Sequence, residues 1–478
     1  METERQASKA LDRYREFLRL PNDAQEPDDL EPVLGWLTAE FSRRGFATSE
    51  LATGRIPLLL AERETPGATK TLLVYLQADG QPVDPAAWDQ ESPWEPVLKE
   101  PEDDGSWRAL PWPSLAGARQ PDWRIFARSA ADSKGPIVQF LTALDVLAAV
   151  GGGPSAHLKV IIDAEEELGS PRLAATVERE RERLAANELV IFDGPPHPSG
   201  EPTLVFGARG IATVTLTAYG PRTPQHSGHY GNYVPNPAFR LARLLASLKD
   251  AEGRVTLPGF YDGVELTAAD RAALTAVPDD PKTLHRKLGI GTPERVADTL
   301  QESIQYPSLN VRGLQAGWVG EQARTIIPAT ATAEIDVRLV VESDAVALLR
   351  SLRQHIEKQG FRVIDAEPTE EERLAHRPPL RWRSQISYGA FRTPLDSELG
   401  HRLQRALTGY HGREPIRLRT LGGSIPIAPF VTTLGVPAVA VPTVNPDNHQ
   451  HSPNENLRLG DFLDGVGVIA AVLCEPWE

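Results

Sequence analysis

The sequence predicts an α/β protein of two domains, a helix-flanked sheet interrupted by a smaller α/β sandwich. Three observations carry this. Short apolar, β-branched runs such as Leu158-Lys159-Val160-Ile161-Ile162 read as buried strands, and acidic or amide residues follow them. After Phe206 the pattern changes to alternation, as in Thr213-Val214-Thr215-Leu216-Thr217, which fits strands with one polar face. At 478 residues the chain is also longer than one core usually serves.

Taken in order, METERQASKALDRYREFL places Ala7, Ala10, Leu11, Tyr14 and Leu18 on one helical face. A second helix carries Leu30, Val33, Leu34, Leu37 and Phe41 and stops near Gly45, which fits a left-handed cap. Residues 84–123 hold seven prolines and five of the nine tryptophans, too proline-rich for regular helix or a central strand. Those tryptophans are expected to pack the loops rather than wall a substrate. Ser170-Pro171 reads as an N-cap with proline at the first helical position. Glu178-Arg179-Glu180-Arg181-Glu182-Arg183 alternates in sign like the solvated face of a helix. Asn236-Pro237 opens a helix with Phe239, Leu241, Leu244, Leu245 and Leu248 inside. Ala333-Glu334-Ile335-Asp336-Val337-Arg338-Leu339 alternates again, and Ser343 caps the helix after it. Ser452 and Glu455 have capping-box spacing. The single cysteine, Cys474, is expected buried in a C-terminal helix.

The chemistry gathers at strand ends. Leu72-Leu73-Val74-Tyr75-Leu76 runs into Gln77-Ala78-Asp79, and Leu189-Val190-Ile191-Phe192 runs into Asp193. The run at 158–162 leads to Glu165-Glu166-Glu167, and Asp132 stands just before a helical pattern. Pro437-Ala438-Val439-Ala440-Val441 leads to a loop with His449 and His451. Open α/β sheets place ligands at the carboxyl ends of their strands. Adjacent carboxylates there repel unless a proton or a cation intervenes. Such oxygen and nitrogen donors suit zinc or manganese better than calcium.

These segments resemble the di-metal peptidases of the aminoacylase and carnosinase superfamily, closest to the carnosinase-type, cytosolic non-specific dipeptidase branch. The likeness runs in order through YLQADGQPVDP, RSAADSKGP, DAEEELGS, IFDGP, HSGHYGNYVPNP, RTIIPATATAEIDVRLV, GGSIP and HSPNE. It implies a zinc-exopeptidase-like mixed sheet flanked by helices, with an inserted two-layer α/β lid and dimerisation domain. The expected spans are 1–207 and 384–478 for the catalytic domain and 208–383 for the insert.

The resemblance also implies roles. Asp132 matches an aspartate bridging two ions, Glu167 and His451 the other ligands of one, and Asp193 a ligand of the second. Glu166 matches the general base toward a metal-activated water, and Asp79 the acid that orients the first ligand. His226 matches an oxyanion-stabilising histidine given by a neighbouring subunit. Arg338, with Gly423 and Ser424, matches the grip on the substrate's free carboxylate; from the residues alone, Arg338 reads as a cross-strand ion pair and the glycine pair as a turn.

The chain departs from the pattern at Gln77, where the family has histidine. An amide oxygen is a poorer transition-metal ligand than imidazole, and it removes the ring nitrogen that Asp79 would orient. Gln77 then either ligates weakly, leaves a one-metal enzyme, or marks a degenerate site, so one or two ions of Zn2+ or Mn2+ are expected. Thr420 and Leu421, with Arg419 one place earlier, also stand where the family has arginine and glutamate before its glycine pair.

Fifty basic against 65 acidic residues give a net charge of −15, which argues against nucleic-acid binding. No run is apolar enough to span a membrane, and the N-terminus lacks a signal-peptide core. A cytoplasmic homodimer cleaving dipeptides or short peptides with a free C-terminus is expected. Deacylation of N-acyl amino acids uses the same machinery and is the alternative, as is a non-catalytic peptide-binding relative. A serine hydrolase is disfavoured, since no G-x-S-x-G elbow occurs.

Overall fold

A computed structural model describes residues 2–117 and 119–477. The outermost residues of the expected spans, 1 and 478, and residue 118 of the proline-rich stretch lie outside the described residues. The chain forms two compact units. One comprises the residues up to Gly207 with Arg392–Leu421 and the chain from Ile425 onward; the other comprises Ala208–Phe391 with Gly422–Ser424.

The first unit is built on an eight-stranded mixed sheet. Its order is Ala47–Leu51, Leu58–Arg63, His157–Asp163, Thr71–Gln77, Glu188–Ile191, Ala438–Ala440, Thr203–Val205, Ile416–Leu418. The four central strands, from His157–Asp163 to Ala438–Ala440, run parallel. Thr71–Gln77 and Glu188–Ile191 are buried almost throughout, as strands covered on both faces must be. Glu2–Leu18, Gly135–Ala149 and Leu459–Cys474 pack together beside the sheet. The amphipathic face read in the first helix is its buried face, Ala7, Ala10, Leu11, Tyr14 and Leu18. Gly45 follows the Pro27–Arg43 helix in a left-handed conformation and donates its N–H to Ser42 O, as expected of its place.

Several local expectations are corrected. Ser170 does not cap a helix: its hydroxyl donates to Asp163 Oδ2 at 2.6 Å, and the helix begins later, at Leu173–Arg179. The sign-alternating run leaves that helix at Glu180; Arg183 reaches Glu62 instead. Prolines bracket strands rather than exclude them, since Val97–Pro101 sits inside a four-stranded sheet between Arg124–Phe126 and Trp107–Leu110. The tryptophans of this stretch pack: Arg128 lies over Trp88, Arg124 over Trp107 and Arg15 over Trp112. Cys474 is exposed, because the last turn of its helix buries Val472 and Leu473 and turns the next position outward.

The second unit has a five-stranded sheet, ordered Ser308–Gln315, Thr330–Leu339, Gly210–Tyr219, Pro379–Tyr388, Arg362–Ile364. Pro237–Ala246 and Ala345–Lys358 contribute Leu241, Leu244, Leu348, Leu352 and Ile356 to its core. Phe239 is 67% exposed rather than inside, being two positions from Leu241 on a short helix. The cap of the later helix is Asp344, one residue past Ser343, whose hydroxyl accepts from Val340 N–H instead.

Candidate metal centre and catalytic site

Register sets the site. Gln77 and Asp163 are paired final residues of parallel strands, and Ala78 N–H donates to Asp163 O at 2.7 Å. Asp163, itself buried, accepts from Tyr75 Oη and from Glu165 N–H, each at 2.9 Å, which tightens the turn into the acidic triplet. The triplet then divides its labour. Glu165 turns away to pair with Arg55 at 2.7 Å. Glu167 donates its N–H to Asp79 Oδ2 at 2.9 Å, so Asp79 holds the backbone of the triplet. The other oxygen of buried Asp79, Oδ1, has no hydrogen-bond partner among the described residues.

Asp132 is positioned by Glu455, whose spacing in sequence predicts a helix cap. Ser452 and Glu455 form no capping box, for the following helix begins only at Leu459–Cys474. Glu455 is buried, and its two oxygens accept four hydrogen bonds. Oε2 takes Arg128 Nη1 at 2.8 Å and Ser129 N–H at 2.9 Å; Oε1 takes the N–H groups of Ala131 and Asp132, each at 2.9 Å. Burial, only partly opposed by Arg128, raises the Glu455 carboxyl to about 6. Gly135 completes the loop: a Cβ there would lie 2.5 Å from Ala130 O and 2.6 Å from Leu457 Cδ2, so only glycine lets the helix start this close. The Asp132–Ser133 peptide is cis.

Three expected ligands converge. His451 Nε2 lies 2.9 Å from Asp132 Oδ2 and 3.5 Å from Glu167 Oε2, and one ligand atom from each residue lies within 4.8 Å of the others. Gln81 Nε2 steadies Glu167 Oε2 at 2.7 Å. The electrostatics fit a cation. Burial and then Asp132 push Glu167 upward, while the hydrogen bond to Asp132 raises His451. Burial, followed by Glu167, Asp132, Asp193 and Asp79, lifts Glu166 well above the ordinary glutamate value. One imidazole and two carboxylates crowded in this way suit a divalent transition metal. His449, the other histidine of the loop, is exposed and lies outside this group.

A second cluster centres on Ser133, which the sequence does not mark. Ser133 Oγ lies 2.8 Å from Gln77 Oε1, 2.9 Å from Asp132 Oδ1 and 3.1 Å from Asp193 Oδ1. No sequence signal separated it from its neighbour Asp132.

The remaining expected residues lie in the second unit. Arg338 donates through Nη1 to Ser424 Oγ at 2.7 Å and through Nε to Asp336 Oδ2 at 3.2 Å. The ion pair runs along one strand, Thr330–Leu339, rather than across strands as expected. Gly423 O accepts from Arg209 N–H at 3.1 Å, which ties the glycine pair to the start of the Gly210–Tyr219 strand. Arg209, not singled out from sequence, is buried with Nη2 on Ser308 Oγ; burial and then Arg338 lower it to about 10. His226 is exposed, and its Nδ1 accepts from Gly228 N–H at 3.1 Å.

The sequence profile of peptidase family M20/M25/M40 matches residues 97–475. The chain belongs to this family. Among M20 relatives, a Cys-Gly metallodipeptidase of Schizosaccharomyces pombe is 25% identical over 428 residues, covering 88% of this chain and 82% of its own. The Beta-Ala-His dipeptidase of Homo sapiens is 25% identical over 362 residues, covering 74% and 69%. In structure, an M20 family metallo-carboxypeptidase from Sulfolobus solfataricus matches with a TM-score of 0.80 and 26% identity, covering 97% of this chain and 98% of that one. The mixed α/β architecture expected from sequence is thus that of the M20 fold. Among the described residues, no helix is long and apolar enough to cross a membrane.

Proposed function

We propose that this M20 member is a metal-dependent exopeptidase that hydrolyses the amide bond of dipeptides or short peptides with a free C-terminus. The convergence of Asp132, Glu167 and His451 beside Glu166 carries the reading. Asp132, Glu167 and His451 would hold a zinc or manganese ion, which when bound supplies Lewis acidity and lowers the pKa of water. Glu166 is the general base: it takes the proton of the attacking water at a carboxylate oxygen and returns it to the leaving amine. A carboxyl raised by burial and neighbouring acids suits a group that must both take and release a proton near neutrality. Asp79 positions this machinery through the Glu167 N–H.

Arg338 and Ser424, with Gly423, bind the substrate's terminal carboxylate, a task for which a planar guanidinium fork is better shaped than an ammonium. His226, exposed in its loop, serves the oxyanion of a neighbouring subunit, so the active form is a homodimer through the 208–383 domain. A chain with a single cysteine suits a reducing compartment such as the cytoplasm.

A panel of L-dipeptides, the same dipeptides amidated at the C-terminus, and N-acyl amino acids tests this with zinc or manganese added. Metal-dependent cleavage of the free dipeptides, lost on amidation, is expected. Cleavage of N-acyl amino acids alone would move the activity to deacylation. Silence on every substrate would leave a peptide-binding relative.

A further inference from the structure

We infer that this chain holds one tightly bound divalent ion, at Asp132, Glu167 and His451, and that the Ser133 hydroxyl and Gln77 amide close the second ion position. The inference rests on the metallopeptidase reading and deepens it.

Asp132 faces two ways. Its Oδ2 is with His451 at 2.9 Å, and its Oδ1 is with the Ser133 hydroxyl, also at 2.9 Å. On the His451 side, the donors are two carboxylates and an imidazole. On the Ser133 side, they are Asp132, Asp193 and the neutral amide of Gln77, an oxygen or nitrogen with little affinity for a transition metal. The Ser133 hydroxyl sits among all three at 2.8–3.1 Å.

That arrangement is partly satisfied without a cation, one carboxylate taking the single hydroxyl proton. A hydroxyl has one proton and two lone pairs, and an amide is read equally well turned over. Turned so, Gln77 donates an N–H to Ser133 Oγ, whose proton is then free for Asp132 or Asp193. Gln77 is 4% and Ser133 1% exposed, so neither could exchange these bonds for water if an ion displaced them. Asp79 carries a second mark of the change. Its buried Oδ1 lacks a partner among the described residues, whereas histidine at position 77 would bring a ring N–H that an orienting carboxylate accepts.

The test counts ions. Protein stripped with chelator, reloaded with Mn2+ and passed through a desalting column is assayed for manganese per chain and by electron paramagnetic resonance. The natural chain should retain about one ion with the spectrum of an isolated Mn2+, His451→Ala should lose it, and Asp193→Asn should keep it. Gln77→His combined with Ser133→Ala should raise the count to about two and give a spin-coupled spectrum.

Two tight ions in the natural chain would overturn the inference while leaving the metallopeptidase reading intact. No tight ion would overturn the inference, and dipeptide cleavage with metal added would then decide the metallopeptidase reading separately. Loss of the ion in Asp193→Asn but not in His451→Ala would place it on the wrong side and overturn the inference. A folded double variant that still holds one ion would overturn the part assigned to Gln77 and Ser133. The count on the natural chain decides the first point even where a variant does not fold.

Discussion

Arg338 and Asp447 show how single side chains commit this molecule to particular conditions. Arg338 forks between Asp336 and Ser424, and lysine could not reproduce that geometry. Arg338→Lys should raise KM for free dipeptides about tenfold or more, roughly 1.4 kcal/mol of lost binding, with kcat little changed. An unchanged KM in steady-state assays would remove Arg338 from carboxylate recognition. Asp447 makes a pH prediction. Burial would raise its carboxyl, but hydrogen bonds from Arg124 and Asn445, with the charges of Arg124 and Arg458, outweigh it and leave the group at about 2. Its folded pKa lies below the usual aspartate value of about 4. It therefore adds stability that is complete above about pH 4 and is lost as pH falls toward 2. Asp447→Asn should flatten the acid limb of a urea-melt series between about pH 4 and 2. An unchanged acid limb would contradict the assignment.

At the scale of elements, the loop at 128–135 decides where Asp132 points. Glu455 binds four donors of that loop while buried. Glu455→Gln should cost about 3 kcal/mol of stability, because it leaves Arg128 without its anion and turns an N–H toward backbone donors. A melting curve indistinguishable from the natural chain would show that the loop is held otherwise. The carriers of the chemistry are more legible in the sequence than their supports. Strand runs ending at Gln77, Asp163 and Ile191 were legible because apolar runs bounded by polar residues have a strong signature. Glu455 and Ser170 were not, because local spacing suggested caps while their side chains serve partners far off in sequence or across a turn. Phe239 and Cys474 fail for a related reason: apolar character says little about facing when a helix is short or ends. Ser133 was hidden by its neighbour, since nothing in a one-dimensional string says that one hydroxyl meets Gln77, Asp132 and Asp193.

For the whole molecule, the M20 architecture assembles acids from separate segments at the carboxyl ends of one parallel core, where their mutual repulsion favours a cation. The proposed dimer belongs to this scale. Sedimentation should give twice the chain mass, and a monomer that remains fully active would remove His226 from the oxyanion. The most direct test of the central claim is dipeptide hydrolysis by natural protein and Glu166→Gln, each with its bound metal counted. Glu166→Gln should keep the metal and lose about 100-fold or more in kcat, as expected for a lost general base. Full activity in Glu166→Gln with metal retained would contradict the account.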